Sequence, residues 1–408
     1  MDSKQRKILY SVLALLITVC LTAGVTVLAV NANRSDTVTL TAQEYSELSK
    51  LFVLQDILDS IDEKYYGEAP SRDELIADAA KGMVNGLGDE YAQYFTAQEY
   101  EEFISNLNGE YSGIGMLVAQ PDDVGSAVLD VYEDNAAEAA GVQIGDIIIK
   151  VDSKIVAGME LSELSALING EIGSFVKLTL LRGEETIEVD VERTNINIKR
   201  VHYSLFKEQT GYIRIDMFTG SCAEEFSEAI KYLTDRGMRS LVIDLRNNPG
   251  GSLDIVVDVA DTLLGDCSIV TVGGSDAVKN EEYRGNGKGV EVPIAVIVNE
   301  NSASASEILA GAVKDNQKGA IVGMKTFGKG IVQTTFKLES DGSWLKMTTS
   351  AYFTPSGANI HGVGIVPDIE VELPDSMQGI AISELEQDDD AQLWAALDYV
   401  REQAEIQE

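Results

Sequence analysis

Three short apolar runs in the second half of the chain constrain the fold more than any other feature of the sequence. They occupy residues 239–246, 292–299 and 319–323, and they read RSLVIDLR, VPIAVIVN and GAIVG. Helical segments such as LDIVVDVADTLLG separate them, and apolar runs that alternate with helices are typical of buried strands in an α/β protein. The sequence therefore predicts an α/β core over residues 196–375, which ends in a strand-rich piece.

Composition and charge narrow the class of protein. The chain has 408 residues, of which 45% are hydrophobic, an ordinary content for packed globular structure, and its length predicts two to four domains. Its formal net charge at pH 7 is −36. A surface this acidic repels nucleic acid and anionic lipid headgroups, so nucleic acid is excluded as a partner.

The amino-terminal segment predicts a membrane anchor. From Ile8 to Val30 the sequence carries no charged residue, and a helix of this length spans about 34 Å at roughly 1.5 Å per residue, enough for a bilayer. Basic residues lie on its amino-terminal side, which places residues 1–7 in the cytoplasm and the rest of the chain outside the cell. The alternative is a signal peptide cleaved after Val30-Asn31-Ala32, which would release a secreted protein.

Residues 35–105 read as helical. In LSKLFVLQDILDSIDEKYY the apolar residues recur at spacings of three and four and form one stripe. The stripe predicts either a subdomain that packs on the core or a surface that joins two copies of the chain. The tail, residues 376–408, is acidic and helical near AQLWAALDYVREQA. The three cysteines lie in apolar settings typical of free thiols, and no disulfide is predicted.

Between these regions, residues 106–195 change to short strands and glycine turns with one short helix, LSELSALIN. The order of elements, with SGIGM at 112–116 and AAGVQIGDIIIKVDSKIV after it, resembles a PDZ domain of the circularly permuted kind found in bacterial proteases. One departure is Ser153, where these domains usually have glycine in a turn. The resemblance implies capture of a peptide carboxyl terminus by strand addition, with the carboxylate held by loop N–H groups of Gly113, Ile114, Gly115 and Met116.

Two alternative kinds of chemistry find little support. There are only two histidines, with no HExxH, CxxC or GxSxG motif, which argues against a metal centre and a Ser-His-Asp triad. The run from Gly323 to Lys329 fits the GxxxxGK of a phosphate-binding loop. However, Gly330 stands where magnesium coordination needs Ser or Thr, and a β-rich segment follows instead of a helix.

The stretch from Ser302 to Gln333 offers a serine and a lysine for nucleophilic catalysis. Ser304 follows an apolar strand and begins a helix, where unpaired N–H groups are available, and Lys329 has apolar neighbours. For Lys329 to act as a base its pKa must fall by about 3 units, through desolvation or a neighbouring positive charge. On an extended strand Lys329 and Gln333 would project to one face. Sequence spacing alone leaves Ser302, Ser306 and Lys325 as competitors.

Together with the PDZ-like region, four spaced motifs resemble the C-terminal processing peptidases, or tail-specific proteases. They are DLRNNPGG at 244–251, VNENSASASEILAGA at 298–312, FGKGIVQ at 327–333 and YFTPSGANIHGVGIVPD at 352–368. The resemblance runs from about residue 45 to the end of the chain. One departure is Ala358, where the family often has arginine after PSG.

The resemblance implies a multi-domain α/β fold with a ClpP/crotonase-like protease core, and a serine endopeptidase that needs no cofactor. It assigns the nucleophile to Ser304, the general base to Lys329 and a lysine-orienting role to Gln333, with backbone N–H groups of Gly251 and Ala305 as oxyanion donors. It also implies that the PDZ domain gates the site until a protein substrate or a regulatory partner binds. The rival interpretation is a catalytically silent PDZ scaffold that binds exposed carboxyl termini.

Overall fold

A computed structural model describes residues 3–32, 40–108, 111–196, 198–274, 280–374, 377, 380, 382, 385 and 387–407. The chain divides into two units, residues 1–79 and residues 80–408. The helices are α1 (Ser3–Ala32), α2 (Ala42–Ser49), α3 (Phe52–Lys64), α4 (Arg72–Asn85), α5 (Ala97–Asn108), α6 (Ala136–Ala139), α7 (Leu161–Ile168), α8 (Cys222–Asp235), α9 (Leu253–Leu264), α10 (Ala305–Asp315) and α11 (Ala391–Gln407). The strands are β1 (Gln93–Phe95), β2 (Tyr111–Gly113), β3 (Met116–Val118), β4 (Ser126–Val131), β5 (Ile147–Val151), β6 (Lys154–Ile155), β7 (Phe175–Arg182), β8 (Glu185–Glu192), β9 (Thr194–Ile196), β10 (Val201–Leu205), β11 (Thr210–Ile215), β12 (Ser240–Asp244), β13 (Ser268–Gly274), β14 (Glu281–Arg284), β15 (Ile294–Val298), β16 (Gly319–Gly323), β17 (Ile331–Lys337), β18 (Trp344–Phe353) and β19 (Ile369–Glu370).

The first unit consists of helices. In the part of the chain that the structure describes, no helix is long and apolar enough to cross a membrane, so the expected anchor over residues 8–30 has no structural support. The apolar stripe of α3 is largely exposed: Phe52 is 48% and Ile57 50% accessible, whereas Leu58 is buried. Pairing of two copies through this stripe therefore stays a prediction.

The PDZ region of the second unit is a small β structure. Its strands are arranged in the order β3-β4-β5-β7-β8, with β6 on β5, and α7 packs over a core that includes Ile114, Val128, Leu164 and Leu178. β2 and β9 pair antiparallel where the chain enters and leaves this region. Both ends of the PDZ region therefore lie side by side.

The expected α/β core is a six-stranded sheet with helices on both faces. Its order is β10-β11-β12-β15-β16-β19, parallel throughout except for β10. Helices α8, α9 and α10 cover one face, and α11 packs on the other through Leu393, Ala396, Leu397 and Val400. The buried strands β12 and β15 explain the apolar runs in the sequence, because both of their faces are covered.

A second sheet stands beside the core in the order β1-β18-β13-β14, with β17 paired to β18. The prediction that the segment up to Phe95 is helical was wrong. Helix α4 ends at Asn85, two glycines follow, and Gln93–Phe95 pairs with β18 in the register Gln93↔Lys346. Gly88 has a φ of +68°, which favours glycine and ends helical geometry.

Candidate active site

Ser304 lies in the turn between β15 and α10, immediately before the first residue of the helix. Its φ of 54° and ψ of −112° form a conformation that a residue with a side chain rarely adopts, and such backbone strain is characteristic of functional turns. The side chain is half-buried. The strand-to-helix turn thus presents the hydroxyl at the carboxyl edge of the sheet, as the sequence predicts.

The glycine pair after β12 lies directly against this turn. A Cβ on Gly250 would come within 2.8 Å of Ser304 Cβ and 2.9 Å of the Ala305 nitrogen, so only glycine fits there. Gly251 has a φ of 146° and pairs with Phe218. The structure therefore brings Gly250, Gly251, Ser304 and Ala305 together, and in its described part no hydrogen bond occupies the N–H of Gly251 or Ala305.

Lys329 lies in the loop between β16 and β17, and its Nζ stands 4.4 Å from the centre of the Tyr91 ring. The side chain is half-buried, and burial, followed by the positive charge of Lys346, holds the pKa of the Lys329 amine below its usual range. Among the described residues no hydrogen bond joins this amine to Ser304 or Gln333. The amine therefore rests on an aromatic face.

Among the hydrogen bonds of the described residues, none joins Gln333 to Lys329, the residue that the resemblance expects it to orient. The Gln333 Nε2 donates to Thr348 Oγ1 at 3.2 Å, across the β17–β18 pair. The common face for Lys329 and Gln333 stays a prediction: β17 begins only at Ile331, so Lys329 precedes the strand, and the β17–β18 register shifts between Val332 and Gln333. Because a bulge breaks the alternation of side chains, Gln333 turns toward β18.

Glu307 is a site residue that reasoning from the sequence missed. Its carboxylate is fully buried. One oxygen accepts hydrogen bonds from the N–H of Ser304 at 2.9 Å and of Lys329 at 2.8 Å, and the other from Thr326 Oγ1 at 2.6 Å and Gly328 N at 2.8 Å. The signal was present in the sequence, since Ser304 followed three residues later by Glu307 has the spacing of a capping box.

Tyr352 makes a second connection between the two candidate residues. Its hydroxyl lies 3.2 Å from the carbonyl oxygen of Ser304 and also contacts the carbonyl oxygen of Lys329. Burial raises the pKa of this phenol, which keeps it protonated and able to donate. Glu307 and Tyr352 thus hold both backbones, one through N–H groups and the other through carbonyl groups.

The carboxylate loop of the PDZ region has the expected glycine geometry. Gly115 has a φ of +83°, and a Cβ there would come 2.3 Å from Asn135 Cβ, so the turn requires glycine. Ile114 is buried in the PDZ core, and its carbonyl accepts a hydrogen bond from Ala137 N at 2.7 Å. Gly113 ends β2, and Met116 begins β3 opposite Val131.

Comparison with known proteins agrees with this architecture. The sequence profile of peptidase family S41 matches residues 209–371, and that of the PDZ domain matches residues 110–192. A CtpA-like serine protease of Staphylococcus haemolyticus (strain JCSC1435) is 37% identical over 367 residues, covering 89% of this chain and 72% of the relative. The chain belongs to peptidase family S41.

Other relatives of this S41 peptidase show the same pattern. A CtpA-like serine protease of Staphylococcus aureus (strain COL) is 35% identical and covers 88% of this chain and 71% of the relative. An S41 protease structure from Bacteroides fragilis NCTC 9343 shares the fold, with a TM-score of 0.52 at 18% identity over 81% of this chain and 91% of that one. The photosystem II D1 C-terminal processing protease has a TM-score of 0.48 at 30% identity, over 80% and 90% of the two chains. The chain is therefore a serine peptidase that is similar to the CtpA-like serine proteases.

The geometry of the peptidase also separates Ser304 from its neighbouring serines. Ser302 Oγ donates to the Leu245 carbonyl at 2.8 Å, and Ser306 Oγ donates to the Asn248 carbonyl at 2.9 Å. Both residues are fully buried. Since their hydroxyls are engaged in structural hydrogen bonds, Ser304 is the serine of this segment that a substrate can reach.

Proposed function

We propose that this S41 peptidase cleaves protein substrates with a Ser304-Lys329 dyad. The observation that carries the proposal is the shared support of the two residues: the Glu307 carboxylate accepts hydrogen bonds from both of their N–H groups. A lysine with a lowered pKa, in a loop held by the same carboxylate as a strained serine at a helix amino terminus, is an arrangement suited to a Ser-Lys hydrolase.

The proposed reaction proceeds in two steps. Ser304 Oγ attacks the peptide carbonyl while the neutral Lys329 amine accepts its proton, and the backbone N–H groups of Gly251 and Ala305 stabilise the oxyanion. The Lys329 ammonium then protonates the leaving amine, and an acyl-enzyme remains. Water, deprotonated by the same amine, hydrolyses the ester and regenerates the serine. Before the first step the Lys329 amine has to leave the Tyr91 ring, which we ascribe to substrate binding.

The dyad is tested with Ser304→Ala and Lys329→Ala, assayed on an unstructured protein with an apolar carboxyl terminus. Either change should lower kcat by at least about 1000-fold with an unchanged fold, because the nucleophile or its base is removed. Lys325→Ala serves as the matched control, since Lys325 is exposed and four residues from Lys329. Normal activity of either dyad variant would refute the assignment, and peptide binding without any cleavage would favour the scaffold interpretation.

We propose that substrates are selected by their carboxyl termini and that the enzyme acts outside the cell, tethered by residues 8–30. The support for the tether is the sequence itself, in which basic residues precede an uncharged run from Ile8 to Val30. Mass spectrometry of the mature protein from membrane fractions tests it. An intact amino terminus in the membrane supports the anchor, whereas a start at Asn33 would replace it with a cleaved signal peptide.

A further inference from the structure

A second lysine, Lys346, lies near Lys329 in a site lined by aromatic side chains. Its Nζ stands 4.7 Å from the ring centre of Phe103 and 5.4 Å from that of Phe95, and it donates to Gln93 Oε1 at 3.4 Å. The side chain is half-buried on β18. Aromatic faces stabilise a cation that has lost part of its water shell, so the two rings offset part of the cost of burying the Lys346 charge.

Asp89 connects the surroundings of the two lysines. One of its carboxylate oxygens accepts from Thr348 N at 3.0 Å, two residues along β18 from Lys346. The other accepts from Tyr91 N at 3.0 Å, and the Tyr91 ring carries the amine of Lys329. Both amines therefore lie against the short segment from residue 89 to residue 95.

We propose that Lys346 is a positioning residue for catalysis, whose ammonium charge keeps the amine of Lys329 neutral and so able to act as the general base. The inference rests on the proposed dyad. It identifies the neighbouring positive charge that a Ser-Lys mechanism requires. Lys346 itself does not touch the substrate.

The surroundings determine which of the two lysines retains the proton. Burial lowers the pKa of the Lys346 amine and the charge of Asp89 opposes that shift, while two aromatic rings and the Gln93 oxygen stabilise the charged form. Within the described residues the Lys329 amine contacts one aromatic ring, that of Tyr91, and its pKa is lowered by burial and by Lys346. Two amines that interact in this way titrate as a pair, and the proton stays on the amine that has more groups to stabilise its charge.

The other titratable groups around Lys329 do not change which of the two amines keeps the proton. The carboxylate of Glu307 faces the backbone N–H of Lys329 and is engaged by four donors. The phenol of Tyr352 is kept neutral by burial, which raises its pKa. Substitution of Lys346 alone can therefore remove this positive charge without disturbing the hydrogen bonds that hold Ser304 and Lys329.

The test compares Lys346→Met with Lys346→Arg in the full-length enzyme. Methionine keeps the apolar stem but removes the charge, so the pKa of Lys329 should rise and the acidic limb of the kcat/KM profile should move to higher pH. At pH 7 kcat/KM should fall about tenfold and recover in alkaline buffer. Arginine keeps the charge, so the acidic limb of the kcat/KM profile should stay at the same pH. An equal loss at every pH, or an unmoved limb, overturns the proposal.

A second measurement separates this proposal from the proposed function. The reactivity of the Lys329 amine toward acetic anhydride, measured against pH by peptide mass spectrometry, reports its ionisation whether or not the protein cleaves anything. A shift to higher pH in Lys346→Met but not in Lys346→Arg supports the proposal, even for an inactive protein. The same titration curve in both variants overturns it, even if Ser304 and Lys329 prove essential. Lys346→Gln replaces the methionine variant if that one does not fold.

Discussion

Glu307 joins the backbones of the two residues of the proposed dyad through a single side chain. Its oxygens receive two N–H groups from the loop that carries Lys329 and one from Ser304. A buried carboxylate that accepts several hydrogen bonds is rigid, because each lost bond leaves a buried donor without a partner. The distance between the serine turn of α10 and the lysine loop is therefore fixed by backbone contacts, while the lysine side chain remains able to move.

Replacing Glu307 by glutamine should reduce kcat without a comparable change in KM. Glutamine places an NH2 group where one carboxylate oxygen now accepts hydrogen bonds. The donors bonded to that oxygen then lose their acceptor, which costs about 2 kcal/mol of stability. The resulting displacement of the Lys329 loop should lower kcat by about 100-fold. Steady-state kinetics measure both constants. Glu300→Gln, which changes an exposed residue at the same edge of the sheet, is the control. A kcat of Glu307→Gln within twofold of the parent enzyme would contradict this role of Glu307.

Single residues differ in how far the sequence reveals them. Ser304 could be predicted because strand, turn and helix follow one another within a few residues. The environment of Gln333 could not, because it depends on a bulge in β17 and on Thr348 of the next strand. Tyr91 is remote from Lys329 in sequence and comes near it through the pairing of β1 with β18, whereas Lys346 comes near it through the pairing of β18 with β17.

At the scale of elements, β1 and α5 form a cover on the β17–β18 hairpin. The Tyr100 ring stacks on Trp344 with centres 3.8 Å apart and planes inclined by 12°, and its hydroxyl lies 3.1 Å from Thr335 Oγ1. Phe95 and Phe103 stack at 4.9 Å beside them. This aromatic cluster attaches the segment that carries Tyr91 to β18, the strand that carries Lys346.

Removing the Tyr100 ring should loosen this cover locally. Tyr100→Ala deletes the stacking contact and the hydroxyl contact of a half-buried residue, a loss of about 2 kcal/mol. Amides of β1 and of the facing part of β18 should then exchange with deuterium about thirtyfold faster, with the α/β core unaffected. Tyr66→Ala, at a fully exposed tyrosine, is the matched control. Equal acceleration across the core would instead indicate global destabilisation.

The sequence predicts elements well where burial is continuous. The runs in β12, β15 and β16 are continuously apolar because helices cover both faces of the sheet. The sequence does not predict β1, for the opposite reason. This strand is three residues long, it follows two glycines, and its strand conformation comes from pairing with β18, about 250 residues later, which local pattern cannot indicate.

At the scale of the whole molecule, the PDZ region is an insertion whose two ends meet. In the β2–β9 pair Tyr111 lies opposite Ile196, and the Cα atoms of such antiparallel partners are about 5 Å apart. Its core is separate from the core of the α/β sheet. A short linker can therefore replace the region without stretching the chain on either side of it.

Excising residues 111–196 and joining the ends with a short Gly/Ser linker should abolish selection of the substrate carboxyl terminus while the α/β core still folds. In the intact enzyme the loop at Gly113–Met116 is expected to bind the terminal carboxylate, so a substrate with a free carboxyl terminus should exceed its amidated counterpart in kcat/KM by about tenfold. In the excised enzyme that ratio should fall to about one, because no N–H groups remain to receive the carboxylate. The matched pair of substrates controls for changes in the dyad itself, since both contain the same scissile bond. Retention of the tenfold preference after excision would place recognition of the carboxyl terminus in the α/β core instead.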